Sequence, residues 1–186
     1  MVRIYLACTV RGDRGGVLAG RVICERLEQL GHQVLTTHLL ADGVDAAEAQ
    51  LTEREVFLRD LEWLSQCDVL IAEASGSSFG VGFEVGYVLG RATQTGQRVL
   101  LLHDAARAGS ISRLIVGNCH EACETFAYRS LDELATLVDT RFATMATGRT
   151  ARSSRRPDPT LDRPASATVH DSATLETRQP PAAEQN

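Results

Sequence analysis

The chain has 186 residues, enough for one α/β domain with a sizeable core and too few for two. Its formal net charge is −5, and no basic surface marks nucleic acid as the main partner, although one arginine and a few backbone donors suffice to hold a small anion. Lysine is absent throughout, which excludes both a Schiff-base lysine and a P-loop lysine and leaves basic chemistry to Arg and His.

The first element in chain order is RIYLAC (3–8), a strand-like apolar run. It opens the chain without a charged-then-apolar leader, and no apolar run of roughly 18 residues follows, so the expected setting is the cytoplasm with no membrane partner. Next comes TVRGDRGG (9–16), with three glycines beside Arg11 and Arg14 and a helix to follow. Backbone N–H groups with a nearby guanidinium make a phosphate cradle, and a glycine-rich turn with solvated arginines fits the same residues. Residues 17–30 carry apolar side chains at Leu18, Val22, Ile23, Leu27 and Leu30, and Gly31 closes the helix.

QVLTTHL (33–39) predicts a second strand, with His38 in the turn after it. Residues 52–66 predict an amphipathic helix, with Val56, Leu61 and Leu64 on one side and Glu53, Arg54, Arg59 and Glu62 largely elsewhere. DVLIAEA (68–74) reads as a buried strand and leads into SSFGVGFEVG (77–86). Ser78 suits a helix N-cap there, and the Gly82, Gly86, Gly90 ridge suits close helix packing. Neither accounts for Glu84, since from Phe79 to Gly90 the Tyr87 hydroxyl is the only other polar side-chain group. An unpartnered buried carboxylate is costly, so Glu84 requires partners or a task.

RVLLLH (98–103) and a fainter run over 124–128 complete five strands, and a last helix over 131–145 is capped by Ser130 with Glu133 three residues on. Strands alternating with helices predict a doubly wound α/β fold of the Rossmann or flavodoxin-like kind, its mostly parallel five-stranded sheet covered by helices on both faces. Ligands then bind beyond the carboxyl ends of the strands, where the loops after the first three strands converge. Five scattered cysteines, Cys8, Cys24, Cys67, Cys119 and Cys123, suit reduced thiols, and the C-H-E-A-C run from Cys119 reads as packing, with no second ligand pair for a metal. All five prolines lie between 157 and 181 and every Phe, Trp and Tyr lies before Gly148. The catalytic domain is therefore expected over 1–147, followed by a disordered Pro/Ser/Thr/Arg-rich tail over 148–186.

Asp60, close before the third strand, is the second carboxylate of note, because two carboxylates at one site are the minimum equipment for cleaving a glycosidic bond. At this point DLEWLSQCDVLIAE with SSFGVGFEVG, IYLACTVRGDRGG at the start and VLTTH between them resembles the 2'-deoxynucleoside 5'-phosphate N-hydrolase branch of the nucleoside 2-deoxyribosyltransferase family, over residues 3–145. The resemblance implies that Glu84 attacks C1' of the sugar, that Asp60 assists departure of the base and orients the sugar, that Tyr5 stands beside both, and that His38 lies near the base. It implies phosphate contacts at Thr9, Val10, Arg11 and Gly12, although the family's Gly-Ser is Cys8-Thr9 here, and at Ser78, Gly80 and Gly82. Relatives acting on nucleosides carry an aspartate where Ser78 stands, and a carboxylate there would repel a phosphate dianion that a hydroxyl beside helix N–H groups attracts.

GSISRLIVGN (109–118) matches the segment that completes a neighbouring subunit's site, so the resemblance implies a homodimer in which Ser112 crosses to the partner's phosphate; Ser112 as an ordinary helix cap also fits. The implied reaction is hydrolysis of a 2'-deoxynucleoside 5'-monophosphate to free base and 2-deoxyribose 5-phosphate, without cofactor or metal. A ribonucleotide N-glycosidase of the CMP type, a deoxyribosyltransferase and a non-catalytic nucleotide sensor are the alternatives.

Overall fold

The computed structural model describes residues 1–9, 13–76 and 78–147. Their elements are β1 (Arg3–Ala7), α1 (Val17–Gln29), β2 (Gln33–Val34), a 3-10 turn (Thr37–Leu40), α2 (Val44–Glu48), α3 (Glu53–Gln66), β3 (Val69–Glu73), α4 (Phe79–Leu89), α5 (Ala92–Thr95), β4 (Arg98–Asp104), a second 3-10 turn (Ala105–Ser110), α6 (Arg113–Val116), β5 (Cys123–Tyr128) and α7 (Leu131–Thr147). The strands form one parallel sheet in the order β2-β1-β3-β4-β5.

Side chains alternate across this sheet and build two cores. Ile4, Leu6, Ile71, Leu100 and Leu102 pack under α1 and α7, while Tyr5, Ala7, Leu70, Ala72, Val99 and Leu101 pack under α3 and α4. Strands buried on both faces read as continuous apolar runs, which is why β1, β3 and β4 stand where the sequence puts them. The strand order reverses between β1 and β3, and a doubly wound sheet opens its ligand crevice at that switch point.

Three expectations change. The second strand is only two residues long, because Thr36 turns its hydroxyl to Leu6, accepting from its N–H at 3.0 Å and donating to its carbonyl at 2.7 Å. This side chain replaces the backbone ladder, and the freed chain winds into the 3-10 turn that carries His38. On α1 the inward stripe is Ala19, Ile23, Cys24 and Leu27, while Leu18 is exposed and Val22 half-buried. Among the described residues the α4 glycine ridge does not serve close packing, since a Cβ on Gly82 or Gly86 would meet nothing within 4 Å.

Helix ends follow their capping residues. Gly31, at φ +77°, lets its own N–H reach the Glu28 carbonyl while His32 N–H reaches Leu27, a Schellman closure of α1. Thr52 and Glu55 form a reciprocal capping box at α3. At α7 Ser130 accepts from Glu133 N–H at 3.1 Å, but the Glu133 carboxylate turns to Arg129 N–H instead of closing the box.

Candidate active site

Tyr5 points from the centre of β1 into the α3/α4 side of the sheet and is completely buried. Its hydroxyl donates to Glu84 Oε1 at 2.7 Å. Glu84 comes from the second turn of α4, whose N-terminus follows the β3 switch point. Burial first, and the nearby charge of Asp60, push the Glu84 carboxyl up from 4.5 to about 7, against the Tyr5 hydrogen bond that lowers it. The Tyr5 phenol is itself driven far upward by burial and by Glu84, so it stays a hydrogen-bond donor. Glu84, Asp60 and Glu48 line one cavity of about 390 Å³, together with Cys8, Leu39, Phe57, Leu61, Ser78, Gly80, Val81 and Phe83.

Asp60 does not stand alone on α3. Arg59 Nε donates to Asp60 Oδ1 at 2.9 Å and Arg59 Nη2 donates to Glu48 Oε1 at 2.6 Å, with the guanidinium 5.0 Å above the Trp63 ring. The sequence set Arg59 largely apart from the apolar side of an amphipathic helix, and the structure turns it to acids on two helices. His38 packs its ring 5.2 Å from Trp63 and holds Nε2 at 3.6 Å from Glu48 Oε1, with no hydrogen bond among the described residues. Burial and then Arg59 depress the His38 pKa below its usual value, which keeps the ring neutral at pH 7. His38 does not itself line the cavity, although Glu48 beside it does.

Ser78 is the N-cap of α4, its hydroxyl accepting from Val81 N–H at 3.3 Å. A hydroxyl at this helix start lies among N–H groups that favour an anion. Thr9 follows β1, is almost fully buried, and has no partner for Oγ1 among the described residues. Gly76 lets the loops after β1 and β3 touch, because a Cβ there would lie 2.7 Å from Thr9 Oγ1 and collide with the Asp13 carbonyl. Val10, Arg11, Gly12 and Ser77 lie outside the described residues. Gly82 and Ser112 do not line the large cavity; with Ser78 they border a separate depression of about 50 Å³. Ser112 sits at the N-cap of α6 but its exposed hydroxyl caps nothing.

Sequence reasoning missed Arg59, Glu48 and a buried carboxylate at the end of β3. Glu73 accepts from Tyr128 Oη at 2.7 Å and from the Ser75 hydroxyl, and Ser75 Oγ in turn accepts from Asp104 N–H at 2.8 Å. The network ties together the loops after β3 and β4, and a Cβ on Gly16 would strike the Glu73 carboxylate. The glutamate in DVLIAEA was a visible signal, a charge within a strand otherwise apolar.

Two carboxylates, a buried phenol and a serine-capped helix at a β1/β3 switch point now stand together. A sequence model of the nucleoside 2-deoxyribosyltransferase family matches residues 4–136, the span holding them all. The chain belongs to the nucleoside 2-deoxyribosyltransferase family. Within it, the chain is 39% identical over 138 residues to a protein of Thermofilum pendens named "Putative 2'-deoxynucleoside 5'-phosphate N-hydrolase 1", covering 74% of this chain and 93% of that one. It is 34% identical over 163 residues to the 5-hydroxymethyl-dUMP N-hydrolase of Homo sapiens, covering 84% and 87% of the two chains. The solved CMP N-glycosidase of Clostridium botulinum shares the fold, with a TM-score of 0.55 and 18% identity over 75% of this chain and 98% of that one.

Proposed function

We propose that this family member hydrolyses the N-glycosidic bond of 2'-deoxynucleoside 5'-monophosphates, releasing free base and 2-deoxyribose 5-phosphate. The observation that carries the reading is the Tyr5–Glu84 hydrogen bond at the wall of a cavity that Asp60 shares. Glu84, as carboxylate, attacks C1'; the C1'–N bond breaks with its electron pair going to the base, and water then resolves the glycosyl ester. Tyr5 holds the attacking group in one orientation, and Asp60 faces the sugar and the departing base. The hydroxyls of Ser78 and Thr9, with the 10–12 loop, hold the 5'-phosphate, and Gly80 leaves the chain room to approach it. The named activities of the Thermofilum and human relatives support this choice of substrate.

The site is completed by a second copy of the chain, with Ser112 crossing to the partner's phosphate. Support comes from α4, whose outer face is apolar yet open: Phe79 is fully exposed and Phe83 is 52% exposed, beside the vacant flanks of Gly82 and Gly86. Five free cysteines accord with a reducing, cytoplasmic setting.

The test is chromatographic detection of free base from a panel of ribo- and deoxyribonucleoside monophosphates. Glu84→Gln should lower kcat by about a thousandfold or more while substrate still binds, since the amide keeps the shape and cannot attack. Near-normal turnover by that variant would remove Glu84 from its role.

A further inference from the structure

Arg59 is placed in an unusual way. Side chains of adjacent helical residues point about 100° apart and do not ordinarily meet. Yet Arg59 bends round its own helix to donate from Nε to Asp60 Oδ1 at 2.9 Å, while its other edge donates to Glu48 Oε1 at 2.6 Å from α2. Its plane lies 5.0 Å over Trp63, and the side chains of Arg59 and Glu48 are 22% and 10% exposed. Two carboxylates on two helices and one aromatic face thus fix a single guanidinium.

The groups facing Asp60 are Arg59 on its own helix, Glu84 from α4, Tyr5 from β1 and His38 from the 3-10 turn, with Glu48 beyond Arg59. Arg59 is the cation among them, because burial and Arg59 itself keep His38 neutral. One oxygen of Asp60, Oδ1, is therefore committed as an acceptor to the Arg59 donor.

We propose that Arg59 is a positioning residue that holds the Asp60 carboxyl group in one orientation at the cavity wall, so that Asp60 meets the sugar and the departing base in a fixed geometry. The inference rests on the N-glycosidase reading above. In the step it describes, Glu84 Oε bonds to C1' as the C1'–N bond breaks with its electron pair going to the base, and Asp60, held by Arg59, faces that departing base.

The test combines Arg59→Ala, Arg59→Gln and Arg59→Lys in the full chain. Arg59→Ala should lose kcat by about tenfold to a hundredfold with KM changed by less than about threefold, and added guanidinium or methylguanidinium should restore part of that kcat. Arg59→Lys should retain more kcat than Arg59→Gln, because one donor and the charge persist. Loss of thermal stability with kcat unaltered and no rescue would overturn the inference. Independently of turnover, the ¹⁵Nε–H signal of Arg59 should be protected from solvent exchange in ligand-free protein, and free exchange would also overturn the inference. Absence of base release by the wild-type protein would instead remove the proposed reaction, with the Arg59 signal still reporting whether the carboxylates are held.

Discussion

Glu84 is shaped by opposing demands of burial and reactivity. Its pKa is raised from 4.5 to about 7, so the folded protein binds a proton there that the unfolded chain has released at intermediate pH. Stability carried by this group is complete below pH 4.5 and is lost as pH rises toward about 7. Glu84→Gln should therefore melt later than wild type at pH 8, by up to about 3 kcal/mol, and show no such gain near pH 4. Thermal melts at the two pH values check this, and a gain independent of pH would refute the linkage. On the proposed reaction, in which only the carboxylate attacks, the same group should set the acid limb of kcat/KM near neutrality. Tyr5→Phe removes the hydrogen bond that lowers the Glu84 pKa, so that limb should move to higher pH by about one to two units, the span of a charge-assisted hydrogen bond. A limb that stays put would show that Tyr5 positions substrate and not Glu84.

Among the elements, the start of α4 is where the proposed choice between a phosphate and a hydroxyl at the 5' position is tested. With two or three charge-assisted hydrogen bonds at stake, the monophosphate should exceed the matching nucleoside in kcat/KM by about a hundredfold or more. Ser78→Asp should narrow that gap by penalising the dianion, as kinetics on dGMP and deoxyguanosine, or another accepted pair, would show. Equal efficiency in the wild type would point toward deoxyribosyl transfer between bases. Much of this geometry was legible beforehand. β1, β3 and β4 are apolar on both faces, and Glu84 stood out as a lone carboxylate in α4. What escaped is carried by side chains acting against their usual context. Thr36 ends β2 by imitating a backbone partner, and Arg59 occupies a polar position of α3 while turning inward to acids on two helices. Glu48 lies in a five-residue helix with no periodicity to mark its face, and its burial is set by Arg59 across the loop.

At the scale of the whole molecule, the open apolar face of α4 and the idle hydroxyl of Ser112 belong to one proposal. If Glu84 of one copy works with Ser112 of the other, mixing Glu84→Gln with Ser112→Ala should regenerate one intact site per heterodimer. Assayed at low monophosphate, where Ser112→Ala alone is impaired, an equimolar mixture should recover about a quarter of the wild-type activity after random subunit exchange, since about half the dimers are then mixed and each holds one intact site. No recovery would place Ser112 in its own chain's site. Residues 148–186 lie outside the described residues, and their composition leaves them no aromatic or periodic apolar content with which to join a core. A chain ending at Thr147 should keep its melting temperature within a few degrees and its kcat within about twofold; a large loss of either would show that the tail docks.

The uneven burial of the five thiols gives the protein a native handle. Cys8, Cys24 and Cys67 are buried, with burial pushing each thiol up to about 11, and the half-buried Cys123 is raised by the same cause. Cys119 is exposed, three residues beyond the end of α6. A brief neutral exposure to maleimide should therefore add one label per folded chain and five per unfolded chain. Donor- and acceptor-labelled batches of otherwise unaltered protein would then report subunit exchange by energy transfer, without any engineered cysteine.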